Sequence, residues 1–296
     1  MNQWPEGSMR SMETQALGDI RIDRIVEFET PIFSPISFFD EATPEALAPH
    51  RHWLEPRALD PGTGNFVMPV QSYLVRTRHH TILIDTCIGC RKSSDRVDEW
   101  RGLTDESWLT KLTVAEVQPE AVDYVFCTHF HLDHCGWNTR LTDGRWTRTF
   151  PNARYIFARE AYAAAEATAD SVYHENLLPI MEAGQGVLVD MHYALDDEVW
   201  LEPAPGHTRG HVAVNLSSTG RRAVMCGDLM HTPLQVAEPE WSPNFDYDMV
   251  LSRETRKHFL ESHCDTDTLV LTAHFPSPSA GRVVSHADRG FDFSYL

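Results

Sequence analysis

Residues 122–127, VDYVFC, run without a break into residues 128–134, THFHLDH. The first part is a short apolar run rich in β-branched and aromatic side chains, the mark of a buried strand. The second part places three histidines and one aspartate within six positions. His129 and His131 are two apart, so in an extended or turning segment their side chains lean to one side. Asp133 and His134 continue into a helix start. Neutral imidazoles and a carboxylate are the ligands a borderline transition metal prefers. The competing reading is a solvated polar loop. Four metal-capable side chains in six positions, delivered by a buried strand, argue against it.

A catalytic metal site draws ligands from more than one segment, so others are expected downstream. Residues 205–211, PGHTRGH, supply His207 on a turn where Gly206 and Gly210 permit close backbone approach. The strand RRAVMC ends at Gly227-Asp228, and the strand TLVLT ends at Ala273-His274-Phe275-Pro276. Asp228 and His274 therefore stand just past strand ends, as the first cluster does, and α/β architectures place their sites there. Each residue alone is an ordinary cap or turn. Their recurrence beside the dense cluster is what points to a site.

Together, HFHLDH at 129–134, PGHTRGH at 205–211, GD at 227–228 and AHFP at 273–276 resemble the metallo-β-lactamase-fold superfamily, with ILIDTC at 82–87 similar to its early Asp-bearing strand end. The resemblance spans residues 66 to 276. The intervals are 73 positions from His134 to His207, 21 to Asp228 and 46 to His274, closest to the lactonase and organophosphate-hydrolase-like branch. The resemblance implies an α/β fold: a four-layer αββα sandwich of two mixed sheets with helices outside and a dinuclear metal site at one edge. It implies that His129, His131 and His207 hold one divalent ion and Asp133, His134 and His274 the other, with Asp228 bridging. Asp85 would orient a ligand from behind, as metal-bound histidines generally require, and His211 is expected in a similar supporting place. The donor set is histidine and carboxylate without thiolate, which suits Zn²⁺ first and also Mn²⁺, Fe²⁺ or Co²⁺. Such a pair of ions lowers the pKa of a shared water and polarises the oxygen under attack. Asp133 could accept a proton besides ligating.

His231 lies three residues after Asp228, in GDLMHTP. Lactonases of quorum signals carry a tyrosine at the equivalent place, so this chain departs from them. A histidine there could donate a hydrogen bond to an oxyanion or protonate a leaving group. Phe38 and Phe39, in a Pro-interrupted arm, and Trp137 and Asn138, just after the cluster, are candidate pocket residues. Cys127 and Cys135 read as buried packing beside a ligand set already complete. Cys87 and Cys90 form a CxxC outside any thioredoxin-like or zinc-ribbon context and read as a plain loop pair.

The chain has 296 residues, of which 42% are hydrophobic, enough for a sizeable core and too many for general disorder. Lys and Arg number 25 against 43 Asp and Glu, a net charge of −18. That sign repels phosphate backbones and anionic membrane surfaces, so neither nucleic acid nor membrane is an expected partner. Two divalent ions leave the surface strongly negative, and a neutral or weakly charged small molecule is the expected substrate. No basic and apolar leader opens the sequence, and the six cysteines read as reduced thiols, so a cytoplasmic location is expected. The resemblance also admits a homodimer.

Along the chain, residues 1–19 read as a flexible tail and 20–296 as one domain. Strands are expected at 20–29, 66–76, 81–85, 122–127, 153–157, 187–189, 198–201, 211–217, 222–226 and 268–272, with strand-like segments at 282–287 and 291–293. Helices are expected at 105–114, 159–168, 176–183 and 246–262, and an irregular arm at 31–56. The functional expectation is a metal-dependent hydrolase cleaving a small ester, best a lactone, by metal-bound hydroxide. An organophosphate or aryl-ester hydrolase on the same site is the alternative. A β-lactamase, an iron-dependent oxygen- or sulfur-handling protein and a non-catalytic metal-binding module stand behind these.

Overall fold

The computed structural model describes residues 13–94 and 97–296. Strand β1 (Thr14–Leu17) turns at Gly18 into the long β2 (Ile20–Phe33) and pairs with it antiparallel. Residues 14–17 were expected in a flexible tail. They form a strand because Leu17 buries its side chain between the two sheets. The remainder of that expected tail, residues 1–12, lies outside the described residues. The arm read as irregular contains three single helical turns, α1 (Pro35–Phe38), α2 (Pro44–Leu47) and α3 (Arg51–Leu54). Proline opens the first two, where its missing N–H costs nothing, and the Thr43 hydroxyl caps Ala46 N at 3.1 Å.

The chain continues through β3 (Phe66–Arg76), β4 (Thr81–Ile84), α4 (Ser107–Val114), β5 (Tyr124–Phe126) and α5 (Leu132–Cys135). A hairpin follows, β6 (Thr139–Thr142) and β7 (Arg145–Arg148), with Asp143 and Gly144 both at positive φ in the turn. Its Asp-Gly pair is the sequence signal for such a turn, but the flanking residues are polar and largely exposed, so no strand was expected. Then come β8 (Arg154–Ala158), α6 (Arg159–Thr168), a wide turn of helix at Tyr173–Leu177 leading into α7 (Leu178–Glu182), and β9 (Gly186–Val189). The second half holds β10 (Val199–Pro203), β11 (Val212–Ser218), β12 (Arg221–Met225), α8 (Leu234–Ala237), α9 (Met249–His263), β13 (Leu269–Leu271), β14 (Ala280–His286) and β15 (Gly290–Tyr295).

Two mixed sheets result, one of seven strands in the order β1-β2-β3-β4-β5-β8-β9 and one of six in the order β10 to β15. Their facing surfaces close over a shared core in which Ile22, Val75, Ile84, Phe126 and Ile156 meet Val199, Leu201, Val214, Met225 and Leu271. The outer face of the first sheet packs under Trp108 and Leu112 of α4 and Ile180 of α7. The outer face of the second packs under Phe259 and Leu260 of α9. That is the four-layer αββα arrangement, mixed α/β, expected from the sequence. The pairs β4–β5 and β12–β13 are parallel. Asp85 follows β4, the THFHLDH segment follows β5, Asp228 follows β12 and His274 follows β13. Their carboxyl ends thus deliver the candidate residues to one edge of the sandwich. No helix among the described residues is long and apolar enough to cross a membrane.

Candidate metal centre

The seven residues expected to hold metal converge. His129, His131, His207 and Asp228 bring ligand atoms within 4.8 Å of one another, and so do Asp133, His134 and His274. Asp228 stands between the groups. Its Oδ1 lies 3.1 Å from both His134 Nε2 and His274 Nε2, and its Oδ2 lies 3.6 Å from His129 Nε2 and 3.4 Å from His207 Nε2. A carboxylate with one oxygen towards each triplet has the disposition a bridging ligand needs.

The outer hydrogen bonds decide which ring nitrogens face inward. His134 Nδ1 donates to Asp85 Oδ2 at 2.8 Å, His207 Nδ1 to Asp246 Oδ1 at 2.8 Å, and His274 Nδ1 to the Pro69 carbonyl at 2.8 Å. Thr128 Oγ1 donates to Asp85 Oδ2 at 2.9 Å, leaving a lone pair for His129 Nδ1 at 3.2 Å. These acceptors hold each proton on Nδ1, so Nε2 points inward with a bare lone pair. His134 Nε2 then faces His274 Nε2 at 3.2 Å, and His131 Nδ1 lies 3.1 and 2.9 Å from Nε2 of His129 and His207. Lone pairs at such distances repel unless a cation lies between them, and Asp228 Oδ1 is buried without a hydrogen-bond partner. The donor set therefore fits two divalent cations.

The electrostatics agree. Burial, joined by the neighbouring imidazoles, drives His129 and His207 well below the ordinary histidine range against the pull of Asp228. Burial opposes charge on His134 and His274 as well, but Asp228 and Asp133 override it and raise both. Asp228, though buried, is held well below the carboxylate range by the surrounding imidazoles, with His134 and His274 first. The carboxylates thus demand positive charge at the positions where the inward nitrogens meet.

Local backbone explains the approach of the loops. A Cβ on Gly206 would lie 2.3 Å from Ser252 Cα, so only glycine lets the His207 turn sit against α9. Asp246 was expected inside that helix. The helix starts later because Asp248 caps it, accepting from Leu251 N at 3.0 Å, and Asp246 is left to hold His207. His211 is buried and accepts the Asp228 backbone N–H at 3.0 Å, and burial pushes its pKa down to about 4. Asp85 also accepts from Thr128 N at 2.8 Å. Both sit behind the cluster. The loop after His274 is pinned by Glu29, which accepts from Ser277 N at 3.1 Å and Oγ at 2.6 Å, and by Arg24, which donates to Ser277 Oγ at 2.7 Å.

A cavity of about 640 Å³ opens over His131, Asp133, Asp228, His231 and His274. Phe33, Phe38, Val70, Trp100, Phe130 and Phe245 are among the residues that line it, and among the described residues no Lys or Arg does. His231 is buried, with Nε2 3.1 Å from Asp228 Oδ2, yet neither ring nitrogen makes a well-formed hydrogen bond. Its ring lies parallel to His274 at 5.7 Å and edge-on to Phe38 at 5.3 Å.

Of the four expected pocket residues, Phe38 lines the cavity and three do not. Phe39 packs behind it against Phe66 and Trp241. Trp137 is buried in a stack on Trp108 at 5.7 Å, with its indole N–H donating to Glu27. Asn138 is buried where Thr86 Oγ1 donates to its Oδ1 at 3.0 Å. Adjacency in sequence to the cluster misled here, because the chain turns inward straight after α5. Asp246, Phe130, Trp100 and Phe245 were not anticipated. Only Phe130, inside the HFH string, carried a local signal. The cysteines are free; Cys87 sits 3.2 Å from Ser72 Oγ, and Cys90 donates to the Asp105 carbonyl.

The sequence matches the metallo-beta-lactamase superfamily over residues 65–274. A probable metallo-hydrolase of Mycobacterium tuberculosis is 26% identical over 243 residues, covering 69% of this chain and 73% of that one. Among solved structures, the hydrolase AbOPH of the beta lactamase superfamily superposes with a TM-score of 0.79 at 20% identity, covering 96% of this chain and 97% of the other. AidC, a dizinc quorum-quenching lactonase, does so at 0.76 and 22%, with the same coverage. At these identities the structural likeness is one of fold. The match across residues 65–274 carries the assignment: the chain belongs to the metallo-β-lactamase superfamily.

Proposed function

We propose that this protein hydrolyses a small uncharged ester, best a lactone, at a dinuclear centre. The observation that carries the reading is Asp228, whose two oxygens face two separate triplets at the floor of an apolar cavity. His129, His131 and His207 would hold one ion and Asp133, His134 and His274 the other, with Zn²⁺ as the first choice. When bound, two such ions lower the pKa of a water and polarise the oxygen under attack.

The chain's own residues supply the rest. The aromatic wall formed by Phe33, Phe38, Trp100 and Phe245 binds the apolar part of the substrate and excludes water. His231 lines the cavity with its ring nitrogens otherwise unbonded, so it can donate to the developing oxyanion or the departing ring oxygen. Asp133 lines the same floor and can accept a proton. Among the described residues no basic side chain lines the cavity to pair with a phosphate or carboxylate, which supports an uncharged substrate. A dizinc lactonase of similar fold supports both the metal and the substrate class.

Aryl esters and phosphotriesters are the second reading, favoured by the aromatic lining and by histidine at position 231. A panel of lactones, aryl esters and phosphotriesters assayed with zinc- or manganese-loaded protein separates these readings. Lactone turnover that disappears in Asp228→Ala is the expected result. Turnover only of phosphotriesters sinks the lactone reading, and full activity in Asp228→Ala sinks the site.

A further inference from the structure

Glu27 stands at a bulge in β2, where the register with β3 shifts between Val26 and Phe28. The residue is half-buried, and its carboxylate is turned inward. Its Oε2 accepts Ile88 N at 2.9 Å, and its Oε1 accepts Gly89 N at 3.2 Å and Trp137 Nε1 at 2.7 Å. Enclosure pushes its pKa up to about 7 against the pull of these donors and of Lys111. None of these contacts is to a candidate ligand, and nothing in the proposed reaction uses the group.

The loop it holds is an uncommon one. Asp85, Cys87 and Gly89 all have positive φ, at 55°, 50° and 80°, within five residues. Non-glycine residues persist in that region only where the surroundings over-determine them. Here the surroundings are the turn after His134: Thr86 N donates to His134 O, Gly136 N to Cys87 O and Trp137 N to Thr86 O, each at 2.8 Å. A Cβ on Gly136 would lie 1.7 Å from Ile88 O, so the two backbones are in direct contact. Glu27 grips both partners, the loop through Ile88 and Gly89 and the turn through Trp137. At the other end of the loop Asp85 orients His134 through Nδ1.

We propose that Glu27 is a positioning residue for the Asp133–His134–His274 triplet: it locks the 85–89 loop against the turn after His134 and so sets the angle at which Asp85 presents His134 Nε2. The inference rests on the metal-centre reading above.

The test is a zinc titration, against a chelating competitor, of metal-stripped wild type and Glu27→Gln. Glutamine keeps the size of the side chain but offers one acceptor oxygen where three donors converge. Wild type is expected to bind two equivalents. Glu27→Gln is expected to bind one equally well and the other about tenfold more weakly, with an unchanged far-ultraviolet dichroism spectrum. Two equivalents bound by the variant at wild-type affinity overturn the proposal. So does equal weakening of both, which marks general loosening. A wild type that fails to bind two equivalents instead defeats the metal-centre reading itself. If the variant does not fold, wild type decides: the Trp137 indole N–H resonance is expected to move with one zinc equivalent and not the other, because coupling between the loop and one site is reciprocal. A resonance that ignores both, or follows both equally, overturns the proposal.

Discussion

Asp246 Oδ1 accepts the Nδ1 proton of His207 at 2.8 Å, 39 residues away in the chain, and both side chains are buried. The contact holds the His207 ring with Nε2 inward, and the late start of α9 makes it available. Asp246→Ala is expected to weaken one of two zinc equivalents by roughly ten- to a hundredfold, the usual cost of losing a partner behind a metal-bound histidine. Competition titration measures it. Unchanged affinity for both equivalents contradicts the assignment.

Removing the imidazole of His231 is expected to cost about 10²–10³ in kcat, the scale for one donor at a developing oxyanion. His231→Ala should retain two equivalents of metal, because the proposed ligand set is complete without it. Elemental analysis beside steady-state kinetics checks this. A variant that turns over normally assigns His231 to packing against Phe38 and His274.

Phe245 lines the cavity while 42% exposed, so its loss leaves the core intact. Phe245→Ala is expected to raise KM for a substrate with a large apolar group roughly tenfold, the value of one buried aromatic contact, with kcat unchanged. A fall in kcat at constant KM would place the ring against the reacting atoms instead.

Lys92 is buried, donates to Thr139 Oγ1 at 2.6 Å and lies 3.7 Å from the centre of the Trp146 ring. Burial lowers its pKa to about 7, from 10.5 when unfolded. Between those values the unfolded chain holds the proton and the folded chain does not, so stability rises with pH across pH 7 to 10.5, by up to about 1.4 kcal/mol per unit. It is lost as pH falls towards 7. Lys92→Met should lack that dependence, so the stability of wild type relative to the variant should rise with pH across this window. Parallel curves for wild type and variant over this window refute the shift.

Much of the site was legible because its ligands are local strings or strand-end residues. HFHLDH announces itself by density, and Asp85, Asp228 and His274 each follow a readable apolar strand. The strands themselves were legible where one face is buried and the pattern alternates or runs apolar, as in β2, β3 and β12. The β6–β7 hairpin was missed because its residues are polar on both faces, leaving only the Asp-Gly turn as a sign. The arm at 31–56 was read as irregular because single helical turns are too short to show a period.

The sequence by itself determined the donor chemistry, the order of the motifs and the strands that deliver them. These depend on residue type and on spacing within one segment. Only the tertiary structure decided which partners hold the rings and what lines the cavity. Asp246, the Pro69 carbonyl, Glu27 and Phe245 act across 39 to 205 positions of chain or from opposite layers. Trp137 and Asn138, three and four residues from His134, turn into the core instead. A hydrogen bond or a cavity wall is set by distance in space, and the closing of two sheets over one core brings those atoms together.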